Sequence, residues 1–458
     1  MSPNKSRVWR RVATVLGVGI ASFAGLMPAT AAFATNESLG SLAQVSRQVG
    51  ADRLWAAGVT GSGVNVAVID TGVAPVGPFA AQGTLVAAVD LSAEQRDGGT
   101  AFVDNNGHGT HLAGIVHGVA PGAGIVSVKV AGRDGSVGLD GLVTGIDWVI
   151  DHADALDIRV LNLAINSDAN RPYFADPLAA AVERAWAAGI VVVTAAGNEG
   201  AGAAGLHAPA NDPYVIAVGG VEATAAGFVV PNWASSGDGV RNPDLAAPGA
   251  HIESLRAPGS DADVYHPEGF VDAQTFRGSG SSQAAAVVSG AAALLLDARP
   301  DLSPNEVKAA LVSSTGAVAD GSTLVAGSGV LDVSAAVNAD VTGATQTWRA
   351  ARNGQRLPRT AGVSTLWNGT SWSGTSWSGT SWSGTSWSGT SWSGTSWSGT
   401  SWSGTSWSGT SWSGTSWSGT SWSGTSWSGT SWSGTSWSGT SWSGTSWSGT
   451  SWSGTSWS

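Results

Sequence analysis

The chain has 458 residues, no cysteine, 12% charged residues and a formal net charge of −11. That length accommodates one large domain or a few small ones. The acidic balance argues against nucleic acid or an anionic membrane as partner. The lack of cysteine excludes disulfides as a source of stability and leaves the redox compartment open.

Residues 1–34 carry Lys5, Arg7, Arg10 and Arg11 and no acidic residue. An apolar run over 12–26 follows, and then small residues ending in Ala32-Phe33-Ala34. This is the layout of a signal peptide cleaved after Ala34, so the product is expected to be secreted or extracellular. A membrane anchor is the competing reading, but the apolar run is short and no stop-transfer pattern follows it. Arg10-Arg11 gives a weak hint of twin-arginine export. No later segment reads as long and apolar enough to span a bilayer, so no membrane span is expected after signal removal.

Residues 35–50 read as a short N-terminal segment. From there strand and helix patterns alternate. Apolar runs over 64–69, 125–130, 160–165, 190–195 and 215–218 predict buried strands. Helices are predicted over 139–152, over 177–188 with Gly189 as the stop, and over 284–298 before Pro300. Ser303-Pro304-Asn305-Glu306 has the N-cap serine, first-turn proline and third-position glutamate of a capping box. Repeated βα units predict an α/β fold, a doubly wound, mostly parallel sheet with helices on both faces. Ligands of such sheets lie outside the carboxyl ends of the strands. Asp70 and Asn198 each fall just past a predicted strand.

Residues 338–366 read as a basic linker carrying Arg349, Arg352, Arg356 and Arg359. From 367 to 458 the chain repeats Trp-Ser-Gly-Thr-Ser, with Asn368 as the one variant. A five-residue period matches neither a helix nor a strand. In an extended chain, successive tryptophans point to opposite faces. Three readings stand: a flexible low-complexity tail, a ladder of aromatic platforms for cell-wall glycan, and a stacked solenoid made awkward by bulky tryptophan.

Three motifs carry chemistry. Val68-Ile69-Asp70-Thr71-Gly72 supplies a carboxylate, Asn106-Gly107-His108-Gly109-Thr110-His111 an imidazole, and Gly280-Ser281-Ser282-Gln283-Ala284-Ala285 a hydroxyl. A serine activated by a histidine that an aspartate orients needs these three side chains. Each motif alone is weak. A strand-end aspartate is commonly a turn residue, and Gly-Ser before a helix is commonly a cap. His108 and His111 could be a metal pair, but no glutamate lies between them as in a zinc-protease helix. The three together, in the order Asp, His, Ser, are specific. Ser282 is expected at a helix N-terminus, where its N–H faces a developing oxyanion. Asn198, in Ala195-Ala196-Gly197-Asn198-Glu199-Gly200, is the candidate second donor.

These segments resemble the subtilisin (subtilase) family of serine proteases over residues 51–337. Further matches are Asp244-Leu245-Ala246-Ala247-Pro248-Gly249 and Gly329-Val330-Leu331-Asp332-Val333. The serine motif departs from the family's usual Gly-Thr-Ser-Met-Ala-Ala-Pro: Ser281 replaces Thr, Gln283 replaces Met and Ala286 replaces Pro. Ser279 and Ser281 compete as nucleophile, and spacing to Ala284-Ala285 and Gly290 selects Ser282. The resemblance implies an active serine endopeptidase that is a monomer and needs no cofactor for its chemistry. It also implies a structural calcium whose ligands the sequence does not assign. It places a peptide-binding edge along 160–166, ending in Ala164, Ile165 and Asn166, and a P1 pocket wall at Ala195, Ala196 and Gly197 that suits an apolar side chain. Many secreted relatives carry a long folding pro-segment, whereas only residues 35–50 separate Ala34 from the matching region. Two alternatives stay open: a protease dedicated to one secreted peptide, and an inert scaffold that binds cell-wall glycan through its tryptophan tail.

Overall fold

The computed structural model describes residues 38–81, 83–97, 100–167, 172–202, 205–319, 322–347, 367–384 and 387–457. The signal-peptide reading and the linker beyond residue 347 lie outside these residues.

In chain order the elements are α1 (Leu42–Gln48), α2 (Ala51–Ala56), β1 (Asn65–Asp70), β2 (Leu85–Asp90), α3 (His108–Val119), β3 (Gly124–Lys129), α4 (Leu139–His152), β4 (Ile158–Leu163), α5 (Pro177–Ala187), β5 (Val191–Ala195), β6 (Ile216–Thr224), β7 (Gly227–Val229), β8 (Leu245–Pro248), β9 (Ile252–Leu255), α6 (Asp261–Tyr265), β10 (Thr275–Gly278), α7 (Ser281–Ala298), α8 (Pro304–Ser313), α9 (Thr323–Ala326) and α10 (Val333–Ala336). The main sheet runs β2-β3-β1-β4-β5-β6-β7, with β8 also on β6. Its pairings are parallel except β6–β7. Every residue of β3 and β5 is buried, so both sheet faces are covered. The helix pair α3–α7 packs on this sheet, as does the pair α4–α5. The strand order reverses at β1 and β4, and there the carboxyl ends open a crevice.

Local signals account for several elements. Ser303 and Glu306 form the reciprocal capping box at the start of α8. Asp176 accepts from Leu178 N and Ala179 N, and Pro177 opens α5. Other elements carry no such signal. Helix α3 contains Gly109, Gly114 and Gly118, poor helix formers that its packing requires. A Cβ on Gly109 would sit 2.2 Å from the Gly72 carbonyl oxygen. Glycine there lets the helix press directly onto the end of β1.

Two readings need correction. Helix α7 is long and apolar enough to cross a membrane, but it is almost wholly buried in the core. Apolar residues around a whole helix mark a core helix as well as a membrane span. Within 160–166, residues up to Leu163 form no edge: β4 is flanked by β1 and β5. Only Ala164, Ile165 and Asn166 run on past the sheet.

Helix α1 belongs to the core, with Val45 and the following Val49 fully buried and Ser46 Oγ donating to Gly118 O at 3.0 Å. At the other end, Val341 is buried and Gln346 donates to Tyr214 O at 3.0 Å. Beyond it the backbone is extended over β11 (Trp367–Gly384) and β12 (Trp387–Trp457). These pair in parallel, with Trp367 opposite Trp387 and Trp382 opposite Trp402. This twenty-residue offset is a multiple of the five-residue repeat, so each paired position meets the same position of the repeat.

Candidate active site

Asp70 is the last residue of β1 and is 1% exposed in its side chain. Its carbonyl accepts from Val130 N at 2.9 Å, and its carboxylate accepts from Thr71 N at 2.8 Å. The carboxylate therefore leaves the sheet edge with a fixed direction. His108 is the first residue of α3, after Gly107 with φ 100°. Its Nδ1 lies 2.8 Å and 3.0 Å from the two oxygens of Asp70. An Nδ1–H donated to a carboxylate leaves Nε2 as the lone-pair nitrogen, and the His108 side chain is 34% exposed. Burial pushes the His108 pKa down, but the charge and hydrogen bond of Asp70, with a smaller push from Asp104, outweigh it and hold the pKa above the ordinary value.

His111, one turn on, has the opposite fate. Burial, and then the nearby His108, lower its pKa to about 3. It stays neutral and is not a second base. Among the described residues, no group of three His, Asp or Glu side chains is arranged to hold a metal ion, so the His108–His111 pair gains no third ligand. Ala210, Asp212 and Val215 accept from Arg241, while Pro213 and Val215 accept from Lys308.

Ser282 lies in the first turn of α7, 8% exposed. Its hydroxyl makes one long contact, to Ala164 O at 3.4 Å. The two neighbouring serines are tied into the framework. Ser279 Oγ accepts from His251 N at 2.8 Å. Ser281 Oγ accepts from Gly197 N at 3.0 Å and donates to Asn198 Oδ1 at 3.0 Å. Of the three, Ser282 is the hydroxyl free to turn.

Asn198 follows the end of β5. Its Oδ1 accepts from Ser281 N at 2.8 Å as well as from the Ser281 hydroxyl. A backbone N–H can only donate, so this contact fixes the amide orientation and leaves Nδ2 as the group able to donate into the cleft. Ala195 and Ala196 are buried beside it, and Gly197 turns the chain at φ 119°. Ala164 is buried, Ile165 and Asn166 are half-buried, and Asn166 Oδ1 is buried with no hydrogen-bond partner.

Asn198→Ala is expected to lower kcat about 10²–10³-fold with little change in KM, the size known for this kind of amide in subtilisin. An oxyanion donor bonds chiefly the tetrahedral species, so loss of one is expected to fall on kcat. Steady-state kinetics on a short peptide substrate check it, and a loss carried by KM alone would contradict the assignment.

Asp104 is the residue that the motifs overlooked. It is buried, four positions before His108, and five hydrogen bonds end on its carboxylate. An acidic residue just before a Gly-His helix start was the available signal.

Comparison with known proteins follows the same regions. The family model described as "Subtilase family" matches residues 61–333. Serine protease AprX of Bacillus subtilis (strain 168) is 37% identical over 280 residues, covering 56% of this chain and 62% of that protein. Subtilisin DY of Bacillus licheniformis is 33% identical over 304 residues, covering 62% of this chain and 95% of that protein. A solved structure of a cold adapted subtilisin-like serine proteinase aligns at 28% identity and a TM-score of 0.47, covering 60% of this chain and 90% of that one.

Proposed function

The chain belongs to the subtilase family of serine-type endopeptidases, and we propose that it hydrolyses peptide bonds through Asp70, His108 and Ser282. The observation that carries this reading is the 2.8 Å contact of His108 Nδ1 with Asp70 at the carboxyl edge of the sheet. In the reaction, His108 Nε2 takes the Ser282 proton as Oγ attacks the scissile carbonyl carbon. The negative charge that develops on the carbonyl oxygen is met by the Ser282 N–H, at the positive end of α7, and by Asn198 Nδ2. The C–N bond then breaks, and His108 returns its proton to the leaving amine. Water repeats the sequence on the acyl-enzyme and releases the acid. Asp70 holds the tautomer and stabilises the imidazolium throughout.

The substrate is an extended peptide. Ala164, Ile165 and Asn166 run on from β4 as the strand it pairs with. Ala195, Ala196 and Gly197 wall the P1 side, and their small apolar surfaces suit an apolar P1 residue. Nucleophile, base and oxyanion donors all come from the chain itself, so a structural calcium would add stability and no chemical step.

The leader-like residues 1–34 support secretion. The tryptophan repeat supports a tether or spacer whose aromatic faces stack on wall glycan. Retention of an unrelated protein on purified cell walls after the repeat is fused to it would test that partner.

The hydrolase itself is tested with a fluorophosphonate probe on the full chain lacking residues 1–34, beside Ser282→Ala and His108→Ala. Labelling of the parent alone, at the peptide containing Ser282, is the expected result. An unlabelled but folded parent would overturn the protease reading and leave the glycan-binding scaffold in its place.

A further inference from the structure

The first three N–H groups of α3 have no partner within the helix. His108 N donates to Asn106 Oδ1 at 3.3 Å, Gly109 N to Thr71 Oγ1 at 3.0 Å and Thr110 N to Asp104 Oδ2 at 2.8 Å. Asp104 does more than cap. Its Oδ2 also accepts from Thr110 Oγ1 at 2.6 Å. Its Oδ1 accepts from Gly107 N at 2.7 Å, Asn106 N at 3.2 Å and Thr71 Oγ1 at 2.9 Å. The Thr71 hydroxyl has one proton. Asp104 is its nearer acceptor, with Asp70 Oδ1 at 3.2 Å. Thr71 directly follows Asp70, and Gly107 directly precedes His108. One buried carboxylate therefore holds the chain neighbours of both partners in the Asp70–His108 contact.

We propose that Asp104 is a positioning residue for catalysis: it couples the end of β1 to the first turn of α3 and so sets the distance and angle at which His108 meets Asp70. The proposal rests on the assignment of Asp70 and His108 given above. Ordinary helix capping explains the bonds to Gly107 and Thr110 but not the bond to Thr71, which directly follows β1. The negative charge of Asp104 also acts on the imidazole in the same direction as Asp70. Geometry and charge thus work together, since both favour an imidazolium held at Asp70.

The test compares the full chain with Asp104→Asn and Thr71→Val, with turnover expressed per fluorophosphonate-titrated site so that misfolded molecules drop out. Asp104→Asn keeps the shape but presents an amide N–H to donors. It is expected to lower kcat about tenfold or more, with KM within about twofold, because orientation acts on the chemical step. The acid limb of kcat/KM is expected to move to lower pH as a favourable charge is lost. Thr71→Val keeps the charge and cuts the bridge, so kcat falls and the acid limb stays. Per-site rates and acid limbs equal to the parent in both variants would overturn the proposal and leave Asp104 as a cap.

If Asp104→Asn does not fold, Thr71→Val decides alone, and an unchanged rate overturns the idea. The low-field Nδ1 proton of His108 in NMR reads the Asp70 contact without activity. A parent that shows this proton but takes no label refutes the protease reading. A proton unaltered in both variants refutes the role of Asp104.

Discussion

Ser282→Ala is expected to reduce kcat about 10⁶-fold, the size known for removing the nucleophile of subtilisin. The drop should be near-total because no neighbour can take over. Ser281 Oγ is engaged by Gly197 N and Asn198, and Ser279 Oγ by His251 N. Folding should be unaffected, since the lost hydroxyl makes only a 3.4 Å contact with Ala164 O. Fluorophosphonate labelling should vanish, while the circular dichroism spectrum and thermal midpoint match the parent. Turnover retained at about a hundredth of the parent's rate would be too high for the residual effect of the oxyanion donors, and it would move the nucleophile elsewhere.

Asp70→Asn is expected to cost about 10⁴-fold in kcat. The amide can offer an N–H to His108 Nδ1, which favours the tautomer with its proton on Nε2, where the lone pair is needed. Loss of the carboxylate also removes the charge that raises the His108 pKa against the opposing effect of burial. Activity needs the neutral imidazole, so it climbs as pH rises through that pKa. In the parent the acid limb is expected above the ordinary histidine value, and in Asp70→Asn it should fall below the parent's. Profiles of kcat/KM against pH over the neutral and acid range check both statements. A limb that stays in place would mean that the ionisation belongs to another group.

The parts of this fold legible in the sequence are those with local causes. The apolar runs became β1, β3, β4 and β5 within about two residues at each end, while the run over 215–218 marks only the start of β6, which continues to Thr224. The Ser303–Glu306 box and the Asp176-Pro177 start are written in adjacent residues and need no tertiary partner. Helix α3 was not legible, because its glycines answer to close neighbours rather than to helix propensity: the Gly72 carbonyl just past β1, the side chains of Ser254 and Leu255 on β9, and that of Leu42 on α1. The edge assigned to residues 160–163 failed for a related reason. Whether a strand lies at an edge depends on which strands flank it, and β5 is contributed by a later part of the chain. Helix α7 shows the converse, since its composition alone does not separate a protein core from a bilayer. At the site, Asp70, His108, Ser282 and Asn198 stand out because their motifs are dense in small residues. Asp104 stays hidden because its partners lie far apart in the chain, Thr71 just past β1 and Thr110 on α3.

The elements that meet at the crevice arise far apart along the chain: β1 brings Asp70, α3 brings His108, and Ser282 waits on α7 among the last core helices. Contacts between such distant segments form late, after the entropy of closing large loops has been overcome. In the proposed enzyme the three residues come together only when α7 is packed against α3. Onset of probe labelling during refolding is then expected to coincide with the docking of α7 on α3.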